Sequence, residues 1–103
     1  MKILLVCAAG MSTSLLVQKM MDYVKASGFD IQIDSAGSEL IEEKITDYEV
    51  ILVGPQIRHR YSRLEEMAKE KNKKIGLIDQ KVYGLIDGKG AVEQAIKLNE
   101  GGQ

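Results

Sequence analysis

Three short runs, Ile3–Cys7, Val50–Val53 and Ile75–Ile78, are apolar at almost every position, and longer stretches of helical periodicity separate them. A strand that is apolar on both faces must be covered on both faces, which is the situation in a parallel sheet with helices above and below. The intervening segments supply those helices. Leu15, Leu16, Met20, Tyr23 and Val24 fall on one stripe of a helix predicted from Thr13 to Ser27, with Gly28 as its stop. Phe29, Ile31 and Ile33 then alternate with Asp30, Gln32 and Asp34, so Phe29–Ser35 reads as a half-exposed edge strand. Ser38 is placed to cap a short helix over Glu39–Lys44. Ile57, Tyr61, Leu64, Met67 and Ala68 mark another helix, closed by polar residues 69–74. Ala91, Val92, Ala95, Ile96 and Leu98 mark the last helix, before a frayed tail ending in Gly102 and Gln103.

Strands alternating with helices define an α/β protein, a three-layer open sheet of four parallel strands. The polar-alternating strand belongs on an edge, and Ile3–Cys7 and Val50–Val53 belong inside. The predicted order is therefore 2-1-3-4, the flavodoxin-like winding. The 103 residues suit a single domain spanning 1–103. Ligands of such sheets sit beyond the carboxyl ends of the strands where the winding reverses, here strands 1 and 3. Those ends are Cys7 and Gly54.

Composition narrows the function. With 14 basic and 15 acidic residues the net charge is −1, which gives no footprint for nucleic acid or for an anionic membrane surface. The single cysteine excludes an intrachain disulfide and any CxxC pair, and fits a reducing cytoplasm. The opening MKILLVCAAGM has one lysine and breaks into Ser12, Thr13 and Ser14, after which helical spacing resumes; a strand and helix fit it better than a cleaved leader. No later apolar run approaches the ~20 residues of a membrane span.

The segment after the first strand, Ala8, Ala9, Gly10, Met11, Ser12, Thr13 and Ser14, carries the chemistry. Small residues leading into a helix direct several backbone N–H groups at one point, where the helix dipole adds positive charge. That arrangement suits a bound phosphate or a thiolate at Cys7. By residue type alone, a cysteine ending an apolar strand is an inert buried hydrophobe; its place at the switch point beside a phosphate cradle outweighs that. The segment is phosphatase-like: in the Cys-x5-Arg cradle of tyrosine phosphatases the cysteine takes the phosphoryl group. The arginine position is Thr13 here, whereas Ser14 matches the usual hydroxyl. Without a bidentate arginine, free phosphoesters are held weakly. Asp79 is a candidate acid, but no Asp-Pro signature accompanies it. A receiver domain would need acidic residues at the ends of strands 1 and 3, and a nucleotide-binding module would need a GxxxxGK[ST] loop. Neither is present.

CAAGMSTSLLV, VILVGPQI and VYGLIDGKGA together resemble the IIB component of the lactose/cellobiose/chitobiose class of sugar phosphotransferase systems, over nearly the whole chain. The resemblance implies a cytoplasmic phosphocarrier enzyme. Phosphohistidine on an EIIA partner donates to Cys7, and the resulting phosphocysteine passes its group to a β-glycoside held by the EIIC permease. It implies no cofactor and no metal, no direct membrane insertion, and we expect a monomer. Backbone N–H groups from Ala8 through Ser14 are expected to hold the phosphoryl oxygens.

Pro55 and Gln56 follow strand 3 and should face the cradle, as site residues, partner contacts or helix-start punctuation. Arg58, His59, Arg60 and Arg63 form a basic cluster on the next helix, either steering a partner or forming a solvated face. Asp79 is a site residue or a helix cap, with the two readings equally weighted. Tyr83, Gly84, Asp87 and Gly88 read as a structural turn with two φ-permissive glycines. Met11 is expected to stand exposed in the loop as an interface contact.

Overall fold

The computed structural model describes residues 1–7, 10–37 and 41–101, with backbone only for 10–14. Ala8, Ala9, Ser38, Glu39, Leu40, Gly102 and Gln103 lie outside the described residues, and with them part of the expected cradle, the Ser38 cap and the end of the tail.

Four parallel strands, β1 (Lys2–Cys7), β2 (Gln32–Gly37), β3 (Val50–Val53) and β4 (Lys74–Leu77), form one sheet in the order β2-β1-β3-β4. Among the described residues, five α-helices complete the layers: α1 (Gly10–Ser27), α2 (Ile41–Lys44), α3 (Tyr61–Glu70), α4 (Gln80–Gly84) and α5 (Gly88–Asn99). The predicted winding and layer plan are observed.

The two inner strands build two separate cores, because successive strand side chains point to opposite faces. Ile3, Leu5, Val50 and Leu52 project to one face, where they meet Leu16, Met20 and Val24 of α1 and Ala91, Val92 and Ala95 of α5. Leu4, Val6, Ile51 and Val53 project to the other, against Ile41, Ile45, Leu64 and Ala68. All eight strand residues are fully buried. Each such side chain contributes roughly 1.5–3 kcal/mol relative to exposure.

The edges differ from expectation. β2 begins at Gln32 rather than Phe29, because the preceding residues finish α1. Gly28, at φ +74°, donates from its N–H to the Lys25 carbonyl, and the Phe29 N–H donates to Val24. This is the paired-bond helix ending in which a left-handed glycine satisfies the last carbonyls. Phe29 then packs edge-on against Tyr23, centroids 6.0 Å apart. At the other edge, β4 pairs with β3 through Lys74, whose N–H reaches the Glu49 carbonyl, and the Ile78 N–H caps the ladder on Val53. The backbone N–H and C=O groups of Ile75 and Leu77 therefore face the open edge. The Tyr61 hydroxyl donates to the Ile75 carbonyl at 3.4 Å and the Gln94 amide to the Leu77 carbonyl at 2.9 Å.

Three further details correct the sequence reading. The third helix does not run unbroken from Ile57: Pro55–Arg60 is a 3-10 segment, with Ile57 off helical geometry at φ −117°, ψ 28°, and α3 starts only at Tyr61. The break lets Ile57 bury its side chain under the α2–α3 face. Tyr83 and Gly84, read from the sequence as part of a turn, lie in α4. Nor are the glycines the turn residues there: the left-handed residue is Ile86, at φ +53°. That conformation is unfavourable for a β-branched side chain, and it is offset by packing of Ile86 on the α1–α5 core. Gly88 is required for a different reason. A Cβ there would lie 2.4–2.6 Å from backbone atoms of Lys19 and Met20, so α5 touches α1 backbone to backbone.

Candidate functional site

β1 ends at Cys7 and β3 ends one residue before Gly54, and the register sets these two positions side by side. Val6 pairs with Val53, Cys7 pairs with Gly37 on the other flank, and the Gly54 N–H donates to the Val6 carbonyl at 2.8 Å. Cys7 is 3 % exposed. Gly54 is the surface on which it rests: a methyl group at 54 would lie 3.1 Å from Cys7 Cβ and 2.8 Å from Gln56 Oε1. The exposed Gln56 thus folds back over Gly54, bringing an amide beside the cysteine. The sequence signal for this close approach was the Gly-Pro pair ending an apolar strand. Pro55 occupies the first position of the 3-10 segment and is half-buried.

α1 begins at Gly10, earlier than the expected Thr13, so Met11, Ser12, Thr13 and Ser14 belong to its first turns rather than to a loop. The leading N–H groups of a helix have no intrahelical acceptors, and small residues in its first turn leave them accessible. These donors and the positive end of an 18-residue helix follow Cys7 by three positions. Ala8, Ala9 and the side chains of Met11 and Ser12–Ser14 lie outside the described residues.

The remaining candidates are placed elsewhere or committed elsewhere. Asp79 caps α4: its carboxylate accepts from the Lys81 N–H at 2.7 Å. Asp87 caps α5 in the same way, accepting from the Gly90 N–H at 2.9 Å. Arg58, His59, Arg60 and Arg63 are all exposed. His59, Arg60 and Arg63 line a cavity toward α2, and Cys7 is not among its walls. Among the described residues, no three His, Cys, Asp or Glu side chains are grouped to hold a metal ion, and no helix is long and apolar enough to cross a membrane.

A parallel sheet wound 2-1-3-4, with a long helix starting just beyond strand 1, defines the flavodoxin-like class of α/β folds. Within that class the chain is placed by comparison. The family model "PTS system, Lactose/Cellobiose specific IIB subunit" matches residues 2–94, and the chain belongs to this family of phosphotransferase-system components. It is 41% identical over 97 residues to the oligo-beta-mannoside-specific EIIB component of Bacillus subtilis, covering 94% of both chains. Against the cellobiose-specific EIIB component of Lactococcus lactis subsp. lactis it is 32% identical over 91 residues, 84% of each. The solution structure of the cellobiose-specific IIB component from Borrelia burgdorferi superposes with a TM-score of 0.84 at 37% identity, over 98% of this chain and 93% of that one. The lactose-specific IIB domain from Streptococcus pneumoniae shares the fold at a TM-score of 0.86 and 16% identity, over 95% and 96% of the chains. IIB components are phosphotransferases of sugar transport, and this chain is one of them.

Proposed function

We propose that Cys7 is the phosphoryl carrier, accepting from a phosphohistidine of an EIIA partner and delivering to a β-linked oligosaccharide held by an EIIC permease. The observation that carries this reading is the position of the chain's only cysteine, at the end of β1 against Gly54 and three residues ahead of α1. The Cys7 thiolate attacks phosphorus in line; the S–P bond forms as the P–N bond breaks, and the electron pair returns to the imidazole. In the second transfer a sugar hydroxyl oxygen attacks phosphorus, its proton passes to a base, and the S–P bond breaks to regenerate the thiolate. Backbone N–H groups of residues 8–14 stabilise charge on the three non-bridging oxygens in both transfers. Gln56 stands close enough to Cys7 to orient the group or touch a partner. Thr13 in place of the phosphatase arginine leaves the group loosely held, as a relay requires. The β-glycoside preference is carried over from relatives named for oligo-beta-mannoside and cellobiose.

The test is intact-protein mass spectrometry after incubation with phosphoenolpyruvate, the general phosphotransferase proteins and a panel of EIIA partners. A single phosphoryl adduct on the wild type, absent from Cys7→Ser, is expected. An adduct that persists in Cys7→Ser would overturn the assignment and move it to His59, the only histidine.

A further inference from the structure

The basic cluster that follows Gln56 is not absorbed by the carrier chemistry. Arg58, Arg60 and Arg63 stand within residues 55–64, a stretch without a single acid. Residues 55–64 thus carry a local charge of +3, matched elsewhere only by the lysine-rich stretch 69–74, on a chain whose net charge is −1. The fold then gives part of that cluster a concave shape. Between α2 and the start of α3 lies a cavity of about 430 Å³, and His59, Arg60 and Arg63 form one of its walls. Glu42 stands in the wall that α2 provides, and Ile41 and Leu64, both buried, form an apolar floor.

Each part selects for a component of one ligand class. Two guanidinium groups, three positions apart in sequence, match the oxygens of a phosphate monoester, which a forked donor grips better than a point charge does. Glu42, the carboxylate among the described lining residues, disfavours a bare anion but accepts hydrogen bonds from hydroxyl groups. An aliphatic floor suits the C–H face of a ring. The volume exceeds what inorganic phosphate fills and is within the range of small-molecule pockets. We propose that this cavity binds a phosphorylated sugar, with Arg60 and Arg63 on the phosphate, Glu42 on ring hydroxyls, and Ile41 and Leu64 beneath the ring. The site is distinct from Cys7 and does not depend on Cys7 being the carrier. The segment Pro55–Arg60 joins the two, running from Gly54 beside Cys7 to the cavity wall, so occupancy has a direct covalent path to Gln56.

The test is a titration of the 15N-labelled full chain, following amide shifts, with glucose 6-phosphate, glucose and inorganic phosphate as probes. Glucose 6-phosphate is expected to give saturable shifts at Ile41, Glu42 and residues 59–64, with Kd on the order of 1 mM. Inorganic phosphate is expected to bind at least about fivefold more weakly and glucose not to bind. The double substitution Arg60→Gln and Arg63→Gln should weaken glucose 6-phosphate at least about tenfold, and Cys7→Ala should leave it as in the wild type. Glu42→Gln, an exposed change that leaves the fold intact, should narrow the preference for glucose 6-phosphate over inorganic phosphate. Shifts centred on the start of α1 and lost in Cys7→Ala would overturn the proposal, because the ligand would then sit in the phosphoryl cradle. Equal affinity for inorganic phosphate, or shifts that grow linearly without saturation, would also overturn it. So would silence toward all three probes with a response of the same amides to an EIIA partner, which would make the cavity a docking surface.

Discussion

Gly54 and Gly88 occupy the same kind of position, the residue that follows a strand or turn and begins a new helical segment, yet the collisions a side chain would cause there are unlike. At Gly88 the obstacles are backbone atoms of Lys19 and Met20, at 2.4–2.6 Å. Nothing there can rotate away, so the glycine fixes how closely α5 and α1 pack. At Gly54 the obstacles are the end of the Gln56 side chain and Cys7 Cβ, at 2.8 and 3.1 Å. The first can swing aside and the second needs to move only a few tenths of an ångström. One glycine sets the packing of two helices and the other sets how closely Gln56 and Cys7 approach each other, and substitution separates the two roles.

Gly88→Ala should have the largest effect, a loss of about 3 kcal/mol or more, because the whole of α5 must shift to relieve the overlap. Thermal denaturation should show a drop of roughly 12–24 °C for a domain of this size. A loss below about 1 kcal/mol would mean that the helices separate easily, and the contrast with Gly54 would collapse.

The base of the sheet offers a stability term far from both junctions. Burial, and then the neighbouring Asp34 carboxylate that accepts its hydrogen bond at 2.8 Å, push the Tyr48 phenol up to about 12. The unfolded phenol ionises near 10, so the native state retains a proton that the unfolded chain has lost between those values. The contribution is complete below pH 10 and disappears as pH rises toward 12. Relative to Tyr48→Phe, the wild type should lose about 2 kcal/mol between pH 8 and pH 11.5 in urea titrations. Parallel pH curves for the two proteins would show that the phenol titrates normally.

Gly54→Ala should lose less than about 1.5 kcal/mol of stability but slow phosphoryl transfer at least about tenfold, equivalent to about 1.4 kcal/mol at the transition state. The pairing of normal melting with slow transfer is the informative result. A protein that melts early and transfers normally would reverse the roles assigned to the two glycines. The smallest effects are expected at the caps. Asp87→Ala removes the cap of α5, directly ahead of Gly88, and should cost about 1 kcal/mol. Asp79→Ala, on the five-residue α4, should cost about half that and leave transfer unchanged within twofold. A large transfer defect in Asp79→Ala would return that carboxylate to the site.

The parts of the fold that were legible in the sequence are those where one interaction dominates. Ile3–Cys7 and Val50–Val53 are apolar at every position, and only a strand covered on both sides accommodates that. The alternation around Ile33 assigned an edge. With the strand order fixed, the adjacency of Cys7 and Gly54 followed from topology, since both end inner strands. Where local and tertiary preferences compete, the local pattern points the wrong way. Phe29 continues the β2 alternation, but it is drawn into the α1 ending by Tyr23. Ile57 continues the α3 stripe, but it leaves helical geometry to bury itself. α4 carries no buried residue and so leaves no hydrophobic stripe to detect. The approach of Gln56 and Cys7 across Gly54, and the cavity that Glu42 and Arg63 both line, depend on how separate segments are brought together, which no local pattern encodes.

The bonds from Tyr61 and Gln94 to the outer carbonyls of β4 bear on self-association. A bare outer strand offers a ready template to any extended chain. Here both outward acceptors, Ile75 and Leu77, are already occupied by side chains from α3 and α5, and Lys73 and Lys74 stand beside them. A strand approaching that edge would have to displace two hydrogen bonds and meet like-charged lysines if it were basic itself. An edge whose outward acceptors are already taken is a poor template for a further strand.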